Sequence, residues 1–324
     1  MQILAADIGG TNTRLIYADM GEGQRHVIAE TVYPSAKYNQ FADVLSEFLA
    51  DHKIIHLDAA CFSVAGPVKS GVVSVTNLPW VISEKQLADQ LKIPRVKLIN
   101  DFVAVAYGVN ELDESDFIIL QQGVNQLESD AVIIGAGTGL GAVHLVRDAK
   151  KLQAYSSETG HTGFAPQTEQ QTRLLEWLQK QHAYVSLETL LSGNGLHRIY
   201  QFLHEVEGFT ESAEVSQQIL TTDPAQVITE HALAGDDVLC EKTLDCFIDI
   251  YGSAAGDSAL HYFPVGEIYI AGGIAPKIKD KITGRRFIDA LCNKGPMTEN
   301  LKQLTVKLVM QEKAGLYGAL VCGL

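Results

Sequence analysis

Gln2-Ile3-Leu4-Ala5-Ala6-Asp7-Ile8-Gly9-Gly10-Thr11-Asn12 decides how the fold begins. Gln2–Asp7 is apolar up to its closing carboxylate and predicts a buried strand. Gly9-Gly10-Thr11-Asn12 turns the chain, and Arg14–Asp19 alternates in character as a second strand does. A turn at 20–24 leads into a third strand near Val27–Tyr33. Strands joined by such tight turns form an antiparallel meander. A dinucleotide-binding fold would instead pass from its first glycine turn into a helix.

Outward from this start, strands begin to alternate with helices, as in α/β architecture. Phe41, Val44, Leu45, Phe48 and Leu49 share one face of a helix over 41–52. Ala59–Val64 reads as a strand stopped by Gly66-Pro67, and Ser83-Glu84-Lys85-Gln86 as a capping box opening a helix to Leu91. Val96–Ile99 is a short strand ending at Asn100-Asp101. The acidic connection 110–116 marks a domain boundary. Beyond it, strands are expected at Phe117–Leu120, Ala131–Ile134 and Ala142–Val146, helices over 167–261, and a late strand at Glu267–Ala271. A last strand at Thr305–Met310 and helix at Ala314–Val321 are expected to return to the first domain. The expected domains are therefore 1–110 with 301–324, and 111–300.

The length of 324 residues allows about two domains at roughly 150 residues each. Lys and Arg number 25 against 39 Asp and Glu, a formal charge of −14. So acidic a surface repels phosphate backbones and anionic lipid, which argues against nucleic-acid or membrane partners. The stretch between Asp130 and Arg147 is apolar but too short and glycine-rich to span a bilayer. The five cysteines form no C-x-x-C pair, and no basic n-region precedes an apolar start. Reduced thiols in a cytoplasm are the expectation.

Three glycine-rich transitions carry the chemistry. After Asp7, the glycines let amide N–H groups converge on an anion, Thr11 adds a donor, and Asp7 can hold a water of Mg²⁺. The competing reading is a hairpin turn that needs glycine for positive φ. Gly135-Ala136-Gly137-Thr138-Gly139-Leu140-Gly141 lies between two strand-like runs and contains G-x-G-x-x-A at Gly137, Gly139 and Ala142. If that pattern marked an NAD-dependent oxidoreductase, a helix would follow it. Ala271-Gly272-Gly273-Ile274-Ala275-Pro276 is the third transition, suited to abut a nucleoside or simply to start a helix. Together the three point to a bound nucleotide, and no P-loop pattern is present.

At this point the sequence resembles bacterial glucokinases of the hexokinase/actin-like ATPase superfamily. The resemblance rests on Asp7–Asn12, Thr76-Asn77-Leu78-Pro79-Trp80, Ile99-Asn100-Asp101-Phe102, Gly135–Gly141, Glu158-Thr159-Gly160-His161, Phe164-Ala165-Pro166, Glu188 with Leu191-Ser192-Gly193, and Ala271-Gly272-Gly273-Ile274. These follow family order along nearly the whole chain. The resemblance implies a two-domain actin-like ATPase (ribonuclease H-like) α/β fold with an interdomain cleft. It implies phosphorylation of glucose at its 6-hydroxyl by ATP with Mg²⁺, the first step of glycolysis, often in a homodimer. Ala6, Asp7, Ile8, Gly9, Gly10 and Thr11 would then meet the phosphates with Gly137, Thr138 and Gly139, while Gly272 and Gly273 lie by the adenosine. Asn77, Asn100, Asp101, Glu158, His161 and Glu188 match the sugar-contacting positions. Thr159 stands where the family usually has Gly, Gly163 where it has an acidic residue, and Asn194 where Pro is common.

On the residues alone, Asn100-Asp101 reads first as a helix cap. With the resemblance, Asp101 is the general base that takes the proton of the 6-hydroxyl. Glu158 and Glu188 suit a polyol, because a carboxylate accepts from two neighbouring hydroxyls. Glu158 and His161 also have a metal-site spacing, though it occurs once and in a loop. A sugar-sensing relative without turnover is the remaining alternative, and it has no need of a proton acceptor at Asp101.

Overall fold

The structure, a computed structural model, describes residues 1–324 apart from 22–23, 76–77, 125–128 and 149–150. Asn77 therefore lies outside the described residues. The chain divides into two compact units, one of Met1–Asp116, Leu152–Ser156 and Gln311–Leu324, the other of Phe117–Lys151 and Ser157–Met310.

In the first unit, β1 (Gln2–Ile8), β2 (Asn12–Gly21) and β3 (Gln24–Pro34) form the expected meander. β4 (Ala59–Val64) and β7 (Val96–Asn100) extend it, giving the order β3-β2-β1-β4-β7. β1 pairs antiparallel with β2 and parallel with β4, which pairs parallel with β7. Alternation along β1 sorts its side chains onto two cores. Leu4, Ala6 and Ile8 pack with Phe41, Val44, Leu45 and Phe48 of helix α1 (Phe41–Asp51). Ile3 and Ala5 pack with Leu316, Ala319 and Leu320 of the helix Ala314–Cys322. Phe41 and Phe48 are fully buried, each contributing about 1.5–3 kcal/mol by leaving water.

The helix α3 (Asp101–Gly108), which follows α2 (Glu84–Leu91), packs directly on Ala314–Cys322. A Cβ on Gly318 would fall on the Ala104 carbonyl oxygen, and one on Gly108 on the Ala314 carbonyl oxygen. The two backbones touch, so this crossing sets the position of α3 within the unit.

Ser83 makes no side-chain cap at the start of α2, contrary to the capping-box expectation. It ends β6 (Val81–Ser83), an extended strand paired with β5 (Val72–Ser74), and Glu84 instead accepts from Leu98 N at 2.7 Å.

The second unit holds β8 (Phe117–Gln121), β9 (Ala131–Ala136) and β10 (Leu140–Asp148), whereas β11 (Lys151–Ser157) falls mostly in the first unit. With β12 (Glu267–Ala271) and β13 (Thr305–Val309), the second unit's strands run in the order β10-β9-β12-β13-β8. The last strand thus does not return with the final helix. Thr305–Val309 pairs parallel with β12 and antiparallel with β8, burying Val306 and Leu308 in this unit's core. The region 167–261 is helical as expected and ends in the 24-residue helix Val238–His261.

Candidate active site

In the first unit, parallel register brings three strand ends level: Ile8 opposite Val64, and Val64 opposite Asn100. Ligands of open α/β sheets bind at such carboxyl ends. Asp7 has Arg14 as its cross-strand neighbour on β2 and Ser63 on β4. The Ser63 hydroxyl, fully buried, donates to Asp7 Oδ1 at 3.3 Å. Burial pushes the Asp7 carboxyl up, against the Ser63 hydrogen bond and the Arg14 charge.

Asn100 caps α3, its Oδ1 accepting from Phe102 N at 3.0 Å and Val103 N at 3.3 Å. Asp101 is thereby relieved of the cap and opens the first turn. Asn100 Nδ2 donates to Asp101 Oδ1 at 2.8 Å, and Phe102 N to the same oxygen at 3.0 Å. Burial pushes Asp101 up to about 6, and the negative Asp7 adds to the shift, whereas the Phe102 and Asn100 hydrogen bonds oppose it. A carboxylate titrating there is ionised at neutral pH yet basic enough to accept a proton.

Between β1 and β2, Gly9 N donates to Asn12 O at 3.0 Å. Neither Gly9 nor Gly10 has positive φ, so the hairpin reason for glycine does not apply. Gly10 and Thr11 are exposed, and their amides make no hydrogen bond to another described residue. Ala6 and Ile8 turn their side chains into the α1 core, leaving only backbone for a ligand.

In the second unit, β9 and β12 run parallel with Gly135 opposite Ala271, which places both glycine transitions at one sheet end. Gly272 has φ +81°, and a Cβ there would press on the Ala136 backbone, so glycine is required. Ile274 N donates to Ala136 O at 3.2 Å, and Gly193 N to Gly137 O at 3.0 Å. Gly137, Thr138, Gly139, Gly272, Gly273 and the start of the helix Gly193–Glu205 are thus brought together. β10 follows the loop as a strand, so the helix required by the dinucleotide alternative is absent there.

Glu188, in the short helix Leu187–Leu190, accepts from Leu140 N at 2.9 Å, and a Cβ on Gly139 would fall on its Oε2. The carboxylate is therefore tied to the phosphate-loop candidate. Glu158 and His161 project from one turn, 81% and 64% exposed, with Oε2 and Nε2 3.8 Å apart. Phe164 N→Val185 O and Leu187 N→Thr162 O, both 2.9 Å, join that turn to the segment bearing Glu188.

Tyr251 is a residue that the sequence reading misses. Fully buried in the helix Val238–His261, its hydroxyl accepts from Ala136 N at 3.2 Å and lies 3.3 Å from Ala271 O. Only its distance from the glycine loops in sequence hides it; no local pattern announces a tyrosine aimed at them. Tyr251→Phe leaves the Ala136 amide without that acceptor and is expected to lower stability by about 1–3 kcal/mol, read from urea unfolding.

The glucokinase family model matches residues 4–324. The chain belongs to the glucokinase family. A glucokinase of Nostoc sp. is 39% identical over 99% of this chain and 98% of its own, and one of Synechocystis sp. is 34% identical over the same shares. Among solved structures, a glucokinase from an Antarctic psychrotroph has a TM-score of 0.87 at 35% identity, covering 99% of this chain and 98% of that one. A glucokinase from Balamuthia mandrillaris in complex with glucose has a TM-score of 0.79 at 21% identity, with coverages of 99% and 93%. An ROK family glucokinase from Streptomyces griseus, in complex with glucose and AMPPNP, has a TM-score of 0.67 at 19% identity, with coverages of 100% and 99%. The last two speak to fold alone. As a glucokinase-family member the chain has the actin-like ATPase fold expected of it.

Proposed function

We propose that the protein transfers the γ-phosphoryl group of ATP to the 6-hydroxyl of glucose, giving glucose 6-phosphate and ADP, with Asp101 as general base. Membership of the glucokinase family supports the reaction. The observation that carries the assignment of Asp101 is its place at a strand end, freed from capping by Asn100 and raised to about 6. In this reading Asp101 accepts the proton of the 6-hydroxyl as the oxygen attacks, and Asn100, whose two amide protons go to Asp101 Oδ1 and more weakly to Gly66 O at 3.4 Å, turns the second of them to the sugar. Glu158, His161 and Glu188 take the other hydroxyls, with Asn77 completing the set.

The amides of Gly10 and Thr11, and the Gly137–Gly139 loop, suit phosphate oxygens, and Gly272-Gly273 leaves flat space for the nucleoside. Mg²⁺ fits the first unit: Asp7 offers a hard carboxylate at the turn, and two neighbouring carboxylates raised by burial favour a cation beside them. When bound it neutralises charge on the phosphates, and Asp7 would hold one of its waters. A homodimer belongs to the same reading, and the free state of all five cysteines supports a cytoplasmic setting. Among the described residues, no helix is long and apolar enough to cross a membrane.

A coupled assay with ATP, Mg²⁺ and a panel of hexoses tests the proposal. Glucose phosphorylation is the expected result; failure with every hexose overturns it. Glu158→Gln is expected to raise KM for glucose about 10-fold with a smaller change in kcat, the loss of one charged hydrogen bond. An unchanged KM rejects the contact.

A further inference from the structure

We propose that Ser35 is a positioning residue for the nucleotide phosphates: it holds the Gly9–Asn12 turn so that the Gly10 amide faces outward. This rests on the reading that the turn receives those phosphates.

A two-residue hairpin ordinarily closes with the first carbonyl accepting from the amide three residues on. Here that bond, from Asn12 N to Gly9 O, is not made, although Gly9 N donates to Asn12 O. The Gly9 carbonyl instead accepts from the Ser35 hydroxyl at 2.8 Å. Ser35 N also donates to Thr11 O at 2.9 Å, so one residue grips two of the turn's carbonyls. A trans peptide sets each carbonyl antiparallel to the following N–H. Drawing the Gly9 carbonyl inward therefore turns the Gly10 N–H the other way, toward solvent. That amide has no partner among the described residues.

The grip is itself anchored. Ser35 and Thr13 are both fully buried, and their hydroxyl oxygens lie 3.0 Å apart. Ser35 has a single hydroxyl proton, given to Gly9 O, so Thr13 donates to Ser35. The result is a chain of two hydroxyls ending on the turn. Ser35 stands directly after Pro34, which pairs with Asn12, so β3 fixes its backbone opposite the turn. Two fully buried hydroxyls thus serve to satisfy one carbonyl that the turn would otherwise have bonded itself.

The experiment compares wild type with Ser35→Ala, Thr13→Val and Thr13→Ser. ADP with Mg²⁺ is titrated by calorimetry, KM is measured for ATP and for glucose, and melting temperature is recorded. Ser35→Ala is expected to weaken ADP and raise KM for ATP about 10-fold, leaving KM for glucose within about twofold. Thr13→Val, which keeps volume but lacks the donor, is expected to move the same way by a smaller factor, and Thr13→Ser, which keeps the donor, to restore wild-type affinity. Unchanged ADP affinity in Ser35→Ala overturns the proposal, as does a wild type that binds no ADP. Parallel losses for ATP and glucose, with Thr13→Ser no better than Thr13→Val, overturn it in favour of general loosening. If wild type phosphorylates no hexose but binds ADP in a Ser35-dependent way, the kinase reading fails and the role of Ser35 stands.

Discussion

Asp101→Asn is expected to lower kcat by about 10²–10⁴-fold while leaving glucose binding within a small factor. The substitution keeps the side chain's shape and an oxygen that can accept from Phe102 N, so α3 retains its first turn. What it removes is the proton acceptor. Normal turnover in this variant would show that another group takes the proton. The pH profile supplies a second test. With Asp101 at about 6, kcat/KM in the wild type should be flat above about pH 7 and fall tenfold per unit below the midpoint. Asp101→Asn should lack that limb.

Stability should change in the opposite direction to activity. Burial raises Asp101 from 3.8 to about 6, so the folded form holds its proton more tightly than the unfolded chain does. Between those values, stability from this group is lost as pH rises. Asn mimics the neutral carboxyl. Asp101→Asn should therefore melt higher than wild type above about pH 6, with the advantage fading as pH falls toward 4. A lower melting temperature at pH 8 would show that the carboxylate is not strained by its surroundings.

Gly318→Ala carries the second large effect. Its methyl would coincide with the Ala104 carbonyl oxygen and would also press on Gly108 N at 2.6 Å, both of which are backbone. No side-chain rotation relieves that overlap, so α3 and the helix Ala314–Cys322 must separate. Overpacking of this kind costs about 1–3 kcal/mol, and displacing a catalytic group by about 1 Å can cost about 10²-fold in rate. The variant should unfold at lower urea and, while still folded, have reduced kcat because Asp101 rides on α3. Wild-type kcat in a folded Gly318→Ala protein would show that the crossing does not position the base.

Local pattern made much of this legible. The apolar run to Asp7 and its turn announced the meander, and the face of Phe41, Val44 and Phe48 announced α1. Asn100-Asp101 was readable as a cap, and the structure divides the two roles, with Asn100 capping and Asp101 released. What stayed hidden depends on partners distant in sequence. The stretch Thr305–Met310 reads as a partner of the final helix because so short a strand does not name the sheet it joins. Ser83 has the residue type for a cap, but its side chain bonds none of the α2 amides. Glu188 reads as a sugar contact without any sign of its bond to Leu140. Tyr251 and Ser35 are ordinary residues whose meaning comes from the carbonyls and amides that the fold sets before them.

The division of the first unit between both ends of the chain has a consequence during synthesis. Until Leu316, Ala319 and Leu320 leave the ribosome, the face of β1 bearing Ile3 and Ala5 has no cover, and α3 lacks the helix on which it rests. A nascent chain must carry this open apolar face while the whole of the second unit is translated. The helix that carries Asp101 is therefore seated late, so activity should appear only after Ala314–Cys322 has left the ribosome.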